Sequence, residues 1–385
     1  MNVDVIIINW NHRQQTLDCL AAVSAQLADI HDGAMITVID NGSTDGSILA
    51  VRDSYPAIRL LPLGTNTGFT GGISAGVARS PARNVVFLNN DAVPERGWLA
   101  ALVSAIDDAP DDVVSVGGKI VSLDGQLIDF IGGAVTFDGH AFQNGFRFAA
   151  GTRPEPGSGE ELLFACGGNM ISRRDRYLSL DGFDDDYFAY LEDVDFGWRT
   201  WIAGGRVLFE PKGLVRHHSS ATSQRLGSFE RGVLFERNAL QTAMKNFEDA
   251  PGAGAAILFA FLHRLHRYTT TRNRDTGELS RPFGVQGKSR GRFRRKSLAT
   301  IDDPLTAMQF RALDWVMKHS AKIAEKRNRV QAGRKRGDGQ IFEKFPLYFV
   351  PTYPGDEELL RNPLFALLRS HLPSVDKTLG DIMRT

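Results

Sequence analysis

Cysteine is scarce: the 385-residue chain holds two, Cys19 and Cys166. Thiols so isolated make no disulfide framework, and without a C-x-x-C pair or a Cys/His cluster there is no structural zinc pattern. They point to a reducing, cytoplasmic setting. A charge excess of one sign is also missing. The 45 Lys and Arg balance 45 Asp and Glu, so the molecule as a whole has no field that would attract a polyanion. Long apolar runs are missing too. The longest, Ala253 to Leu262, is interrupted by His263 and is about half of the ~20 residues needed to span a bilayer. Residues Val3 to Ile8 read as a strand, without the basic and apolar regions of a secretion leader. Two nucleotide-binding signatures are absent. The first strand runs into Asn9-Trp10-Asn11-His12, where a dehydrogenase would need G-x-G-x-x-G, and no P-loop lysine motif occurs.

Apolar residues make up 42% and charged residues 23% of the chain, the balance of a globular protein. Its length suits one large domain with an appendage, or two domains. Over the first 120 residues, strand and helix patterns alternate. Strands are expected at 3–8, 35–39, 58–61 and 85–88, with helices at 13–27, 44–55, 71–79 and 95–107. In the last helix Leu99, Leu102, Val103 and Ile106 share one face. This alternation predicts a mostly parallel central sheet covered by helices, with ligands at the carboxyl ends of its strands. Short strands and Gly-rich turns follow at 113–165, with an exposed loop at 151–161. Helices are expected at about 192–203 and 228–247. Beyond Pro251, residues 251–300 carry eleven Lys or Arg against Asp275 and Glu278. That segment reads either as a contact with anionic lipid, beside the apolar turns of 255–262, or as a solvated loop. Nucleic acid is a poorer partner for it, because stacking aromatics are few. Helices including 304–326 are expected to extend the domain or to mediate assembly as a homo-oligomer.

Four strand ends finish in polar residues: Asn9-Trp10-Asn11; Asp40-Asn41-Gly42-Ser43-Thr44-Asp45-Gly46-Ser47; Asn66-Thr67-Gly68-Phe69-Thr70-Gly71-Gly72; and Asn89-Asn90-Asp91. A parallel sheet brings all four to one edge, which suits a polar, phosphorylated ligand. Asp40 can accept from a ribose or base, or close an Asx turn. The glycines of 68–76 can admit a phosphate to the backbone, or serve a structural turn. Asp91 offers a hard carboxylate beside a diphosphate, the donor set that Mg²⁺ or Mn²⁺ takes, or it caps the next helix.

This ordered set resembles family 2 glycosyltransferases of GT-A type, and most closely their rhamnosyltransferase-like branch in bacterial cell-surface (cell-wall) polysaccharide synthesis. The resemblance spans about residues 3–247. It implies a GT-A domain over 1–250, with 251–385 as a basic, mainly helical C-terminal region. It implies transfer of a sugar, with inversion, from a nucleoside-diphosphate sugar (dTDP-rhamnose or a UDP-sugar) to a hydroxyl of a glycan or lipid-linked glycan. The location implied is cytoplasmic, with peripheral contact at the inner face of the plasma membrane. Asn9, Asp40, Asn41, Asn66, Gly68, Phe69, Gly71, Gly72, Asn89 and Asn90 then fall on the donor side. Gly182 to Asp195 resembles the acceptor-side motif, with Glu192 and Gly168 beside the acceptor and Asp193 as catalytic base. Asp195 and Arg199 are spaced as an i,i+4 pair. Asp91 and His217 become ligands of a divalent cation, Mg²⁺ or Mn²⁺; His218 stands next to the aligned histidine. Arg237-Asn238 and Lys245-Asn246 also resemble a recurring feature of this branch and read mostly as structural, or as lying near the acceptor. One departure stands out: Asn89 occupies the first position of the Asp-x-Asp that many GT-A enzymes use, which leaves fewer ligands for the cation. A GT-A-like protein with a decayed site, kept as a nucleotide-sugar binder or scaffold, would share every one of these motifs. A nucleotidyltransferase would need a Gly-rich loop with a basic residue after the first strand, and that is absent.

Overall fold

The computed structural model describes residues 2–30, 33–218, 227–271, 304–353 and 356–384. Most of the basic segment within 251–300 therefore lies outside the described residues. Its first part does not. Helix Ala250–Thr271 buries Ala256, Ile257, Ala260 and Phe261, so its apolar face packs inward. Arg264 is buried as well, with Nη2 2.6 Å from Asp138. It belongs to the interior, while Leu258 and Leu262 of the same helix are half exposed. Among the described residues no helix is long and apolar enough to cross a membrane.

Strands β1 (Val3–Asn9), β2 (Ala34–Asp40), β3 (Arg59–Pro62) and β4 (Asn84–Asn89) pair in parallel in the order β3-β2-β1-β4. They are nearly continuous Val, Ile, Leu and Phe runs because both faces are covered. Helices α1 (Arg13–Ser24), α2 (Ser47–Ser54) and α3 (Gly68–Arg79) connect them. Two glycines let α3 press on the sheet: a Cβ at Gly72 would meet Ile8 at 2.8 Å, and one at Gly76 would meet Ile6 at 2.8 Å.

Beyond β4 the sheet becomes mixed. Strand β5 (Ala92–Pro94) forms one edge, a place where proline costs no ladder bond. Helix α4 (Trp98–Asp107) buries the expected face of Leu99, Leu102, Val103 and Ile106. Strand β6 (Val113–Ser122) carries the short β7 (Ile128–Phe130) on one flank. A hairpin of β8 (Gly133–Val135) and β9 (Ala141–Gln143) follows. Strand β10 (Asn169–Arg173) runs antiparallel between β4 and β6. After α5 (Arg174–Ser179) and α6 (Glu192–Ile202), β11 (Arg206–His217) lies parallel to β6 and antiparallel to β5. The result is a mixed α/β fold whose central sheet has nine strands among the described residues.

Helix α7 (Ser228–Asn246) and α8 (Ala250–Thr271) lead to α9 (Pro304–Lys318), α10 (Ser320–Ala332) and α11 (Asp338–Lys344). The helical pattern expected over 304–326 is two helices meeting at His319. These late elements share the main core. Trp198 of α6 packs edge-on against Phe247 at 4.8 Å and Phe342 at 5.3 Å.

Candidate active site

The ends of β1, β2 and β4 are joined by one buried network. Asn9 donates through Nδ2 to Asp40 Oδ1 (3.0 Å) and Ser43 Oγ (3.1 Å). Its Oδ1 accepts from Thr16 Oγ1 (2.9 Å) and Asn90 Nδ2 (3.2 Å). Asp40 also accepts from the Ser43 N–H at 3.0 Å, which closes the loop after β2. With Asp40 only 1% exposed, the carboxylate sets the shape of the β2 end, and Asn9 and Asn90 brace it. Asn41 works the same way one loop further. Its Oδ1 accepts from the Thr67 N–H (2.8 Å) and its Nδ2 donates to Asn66 Oδ1 (3.1 Å) and to the Gly68 carbonyl (2.9 Å). The glycine-rich stretch is the first turn of α3 and not a free loop. Gly72 faces Ile8, and a Cβ at Gly71 would meet the Thr67 side chain at 2.8 Å. Both are explained by packing.

Asn89 and Asp91 stand at the end of β4 and meet residues from the far half of the sheet. The Asn89 N–H donates to the Gly168 carbonyl at 3.1 Å. A Cβ on Gly168 would lie 2.6 Å from Asn89 Nδ2, so only glycine allows this approach. Asp91 Oδ1 lies 3.0 Å from His217 Nε2, and Asn89 Nδ2 lies 3.4 Å from the same nitrogen. His218 is exposed and meets Asp91 only through the backbone. The other ring nitrogen, His217 Nδ1, lies 2.7 Å from Asp129 Oδ2 on β7. Burial alone would lower the imidazole pKa; its hydrogen bonds to Asp129 and Asp91 and their charges carry it up to about 10. Burial would likewise raise the Asp91 carboxyl, yet His217 outweighs it and holds the group below its ordinary value.

The acid pair enters at the start of α6. Asp193 accepts from the Gly167 N–H at 3.0 Å and from the Val194 N–H at 2.8 Å. Burial nonetheless pushes its carboxyl above the ordinary value. Glu192, 6% exposed, is pushed well above by burial and then by the charge of Asp193. Asp195 is the contrasting acid of the same helix. Burial is overcome there by Arg199, whose Nε lies 2.8 Å away as the i,i+4 spacing predicts, and by Lys245 at 3.0 Å. Asp195 is thus spent on structure, while Glu192 and Asp193 retain proton affinity. Gly167 also touches Phe69, whose ring lies 6.0 Å from that of Phe183. The pair Gly167-Gly168 therefore bridges the β4 end and the acid pair.

The turn before α6 is strained. Phe188, Tyr190 and Leu191 have φ of 64°, 73° and 65°, a conformation side chains seldom adopt and one that clusters at functional sites. Asn238 of α7 holds it by donating through Nδ2 to the carbonyls of Tyr187 (3.1 Å), Ala189 (2.9 Å) and Tyr190 (2.8 Å). Arg237 adds a bond to the Asp186 carbonyl at 2.9 Å. On the far side a Cβ at Gly68 would lie 2.3 Å from the Phe188 carbonyl. The turn is wedged between the α3 start and α7. One part of the site escaped sequence reasoning: Asp129, which no local pattern marks.

The description "Glycosyl transferase family 2" matches residues 4–175. The N-acetylglucosaminyl-diphospho-decaprenol L-rhamnosyltransferase of Mycobacterium tuberculosis is 30% identical over 215 residues, 49% of this chain and 68% of that protein. The O-antigen biosynthesis protein RfbC of Myxococcus xanthus is 29% identical over 199 residues, 49% of this chain and 15% of that protein. Among solved structures, the mannosyltransferase PcManGT from Pyrobaculum calidifontis in complex with GDP-Man and Mn²⁺ is 15% identical, with a TM-score of 0.44, covering 83% of this chain and 87% of that one.

Proposed function

The chain belongs to glycosyl transferase family 2, and from that premise we propose that it is an inverting enzyme that moves a sugar from a nucleoside-diphosphate donor to an acceptor hydroxyl, with Asp193 as base. That it is a glycosyltransferase follows from the family. One observation carries the finer reading: Gly167-Gly168 ties the Asn89–Asp91 strand end to the Asp193 carboxyl. In this reading phosphate chemistry and proton removal would come to one place.

The donor would lie along the carboxyl edge of the sheet. Asp40 and Asn41, held rigid by Asn9 and Thr67, would shape the nucleoside end, and Asn66, Phe69 and Asn89 would line its path. The residues fit a divalent cation. Asp91 Oδ1 and His217 Nε2 face each other at 3.0 Å, a carboxylate and an imidazole that leave room for phosphate oxygens as further ligands. Such a cation would neutralise the diphosphate and stabilise it as leaving group. Asp193 would take the proton of the acceptor hydroxyl. The acceptor oxygen would bond the anomeric carbon as the bond from that carbon to the diphosphate oxygen breaks on the opposite face, inverting the centre through an oxocarbenium-like transition state. Glu192, whose carboxyl is pushed well above its ordinary value by burial and the Asp193 charge, would stand beside it on the acceptor side.

The mycobacterial relative is named as a rhamnosyltransferase acting on N-acetylglucosaminyl-diphospho-decaprenol, and the myxobacterial one as an O-antigen biosynthesis protein. The first name supports a rhamnosyl donor such as dTDP-rhamnose and a lipid-linked glycan as acceptor, and the second supports a role in cell-surface polysaccharide synthesis. Asp193→Asn is the test. Donor binding by calorimetry should stay within about twofold of wild type while transfer falls by roughly 10²–10⁴-fold. Wild-type turnover in this variant would refute the base assignment.

A further inference from the structure

We propose that Asp129 is a positioning residue for the cation site. Its carboxylate accepts a hydrogen bond from the His217 Nδ1–H and so holds Nε2 on the Asp91 side, where a cation would sit. The inference rests on the cation reading of Asp91 and His217 and adds to it a residue that does not touch the cation.

The sheet is built to put Asp129 there. Strand β7 pairs with β6, which pairs with β11, the strand that carries His217. The β7–β6 ladder breaks step at one point. Phe130 faces Ile120, but Ile128 faces the next residue, Val121. Asp129 is therefore the extra residue of a bulge, a device that re-aims a side chain and is common beside active sites. Its neighbours Ile128 and Phe130 are fully buried and anchor the bulge in the core. The β11–β6 ladder also breaks step, between Glu210 and Val215, two residues before His217. Two irregularities in two ladders thus converge on one 2.7 Å contact.

The chemistry requires such a partner. A neutral imidazole carries one N–H and one lone pair, and the hydrogen bond at one nitrogen decides which of them the other offers. A carboxylate on Nδ1 keeps Nε2 available and fixes the ring plane. Because Asn89 supplies no carboxylate beside Asp91, the cation depends heavily on the imidazole.

The test is Mn²⁺ affinity, read by the EPR signal of free Mn²⁺ in the presence of UDP or dTDP, whichever the wild type binds. Asp129→Ala should weaken Mn²⁺ by roughly 10–100-fold. Asp129→Asn, which keeps an acceptor oxygen and the fold, should lie between it and wild type. His217→Ala should weaken Mn²⁺ at least as much, and adding Asp129→Ala to it should change nothing further, since the two act as one unit. Wild-type Mn²⁺ affinity in both Asp129 variants, with His217→Ala impaired, would overturn this proposal and leave the cation site standing. Wild-type affinity in His217→Ala and Asp91→Ala would overturn the cation reading itself. A lowered melting temperature with unchanged Mn²⁺ affinity would make Asp129 a structural ion pair only.

Discussion

Asp193 accepts two backbone N–H bonds, and burial still leaves its carboxyl with a raised proton affinity. A base works only when deprotonated, so activity must fall as pH drops through that raised value. The acid limb of kcat/KM should accordingly sit at higher pH than an ordinary aspartate would place it, and a pH–rate profile measures this directly. An acid limb at the ordinary aspartate position would contradict it. Gly68 supplies a second test at this scale. With φ of 77° and the Phe188 carbonyl 2.3 Å from where a Cβ would sit, Gly68→Ala should cost about 1–3 kcal/mol in a denaturant titration. It should also slow transfer, because the added methyl pushes on the turn that leads to Asp193.

That turn shows how elements share the task. Its three left-handed residues persist because the two N–H groups of the Asn238 amide are shared among three carbonyls. Asn238→Asp keeps the shape but has nothing to donate and sets a carboxylate against those carbonyls. It should cost about 3 kcal/mol or more and speed hydrogen exchange over 187–191, with nucleotide affinity retained. Unchanged exchange there would show that the turn holds itself. Elements of this kind differ in how readable they are from sequence. Strands β1 to β4 are legible because burial on both faces makes them unbroken apolar runs. The helical face of α4 and the Asp195–Arg199 pair are legible from spacing alone. Strands β5 and β7, of three residues each, carry too little periodicity, and their existence depends on pairing with distant chain. Asp129 is hidden for that reason: its meaning comes from a bulge and from a histidine 88 residues away. The polar strand ends announced a site, but the division of labour within it was not legible. Asn9, Asp40 and Asn90 look alike in sequence to Asn66 and Asn89, and only burial separates the fully buried bracing groups from the half-buried ones.

At the scale of the whole molecule, the late helices are fastened to the early sheet by buried charge. His140 of the hairpin lies 3.0 Å from Asp138 and 3.3 Å from Glu236 of α7, and Arg264 of α8 reaches Asp138 and Asp356. Lys326 of α10 reaches Asp186 of the acceptor-side motif at 2.5 Å. Burial would lower the His140 pKa, but Asp138 and Glu236 raise it from 6.5 to about 9. A group raised on folding gives stability that is complete below its unfolded pKa and lost as pH climbs through the folded one. Between pH 6.5 and about 9 the loss should be on the order of 3 kcal/mol. Melting curves across that window should fall less steeply for His140→Gln than for wild type, and equal slopes would show that His140 is neutral in the fold.

The central claim is that one cleft holds a nucleoside diphosphate and its cation on one side and the proton acceptor on the other. A crystal structure with Mn²⁺ and the nucleoside diphosphate that binds tests it most directly. The account predicts Mn²⁺ bonded to the Asp91 carboxylate, to His217 Nε2 and to phosphate oxygens, with the Asp193 carboxyl facing the terminal phosphate across an acceptor-sized gap. Mn²⁺ bound elsewhere, or Asp193 turned away from that phosphate, would contradict it.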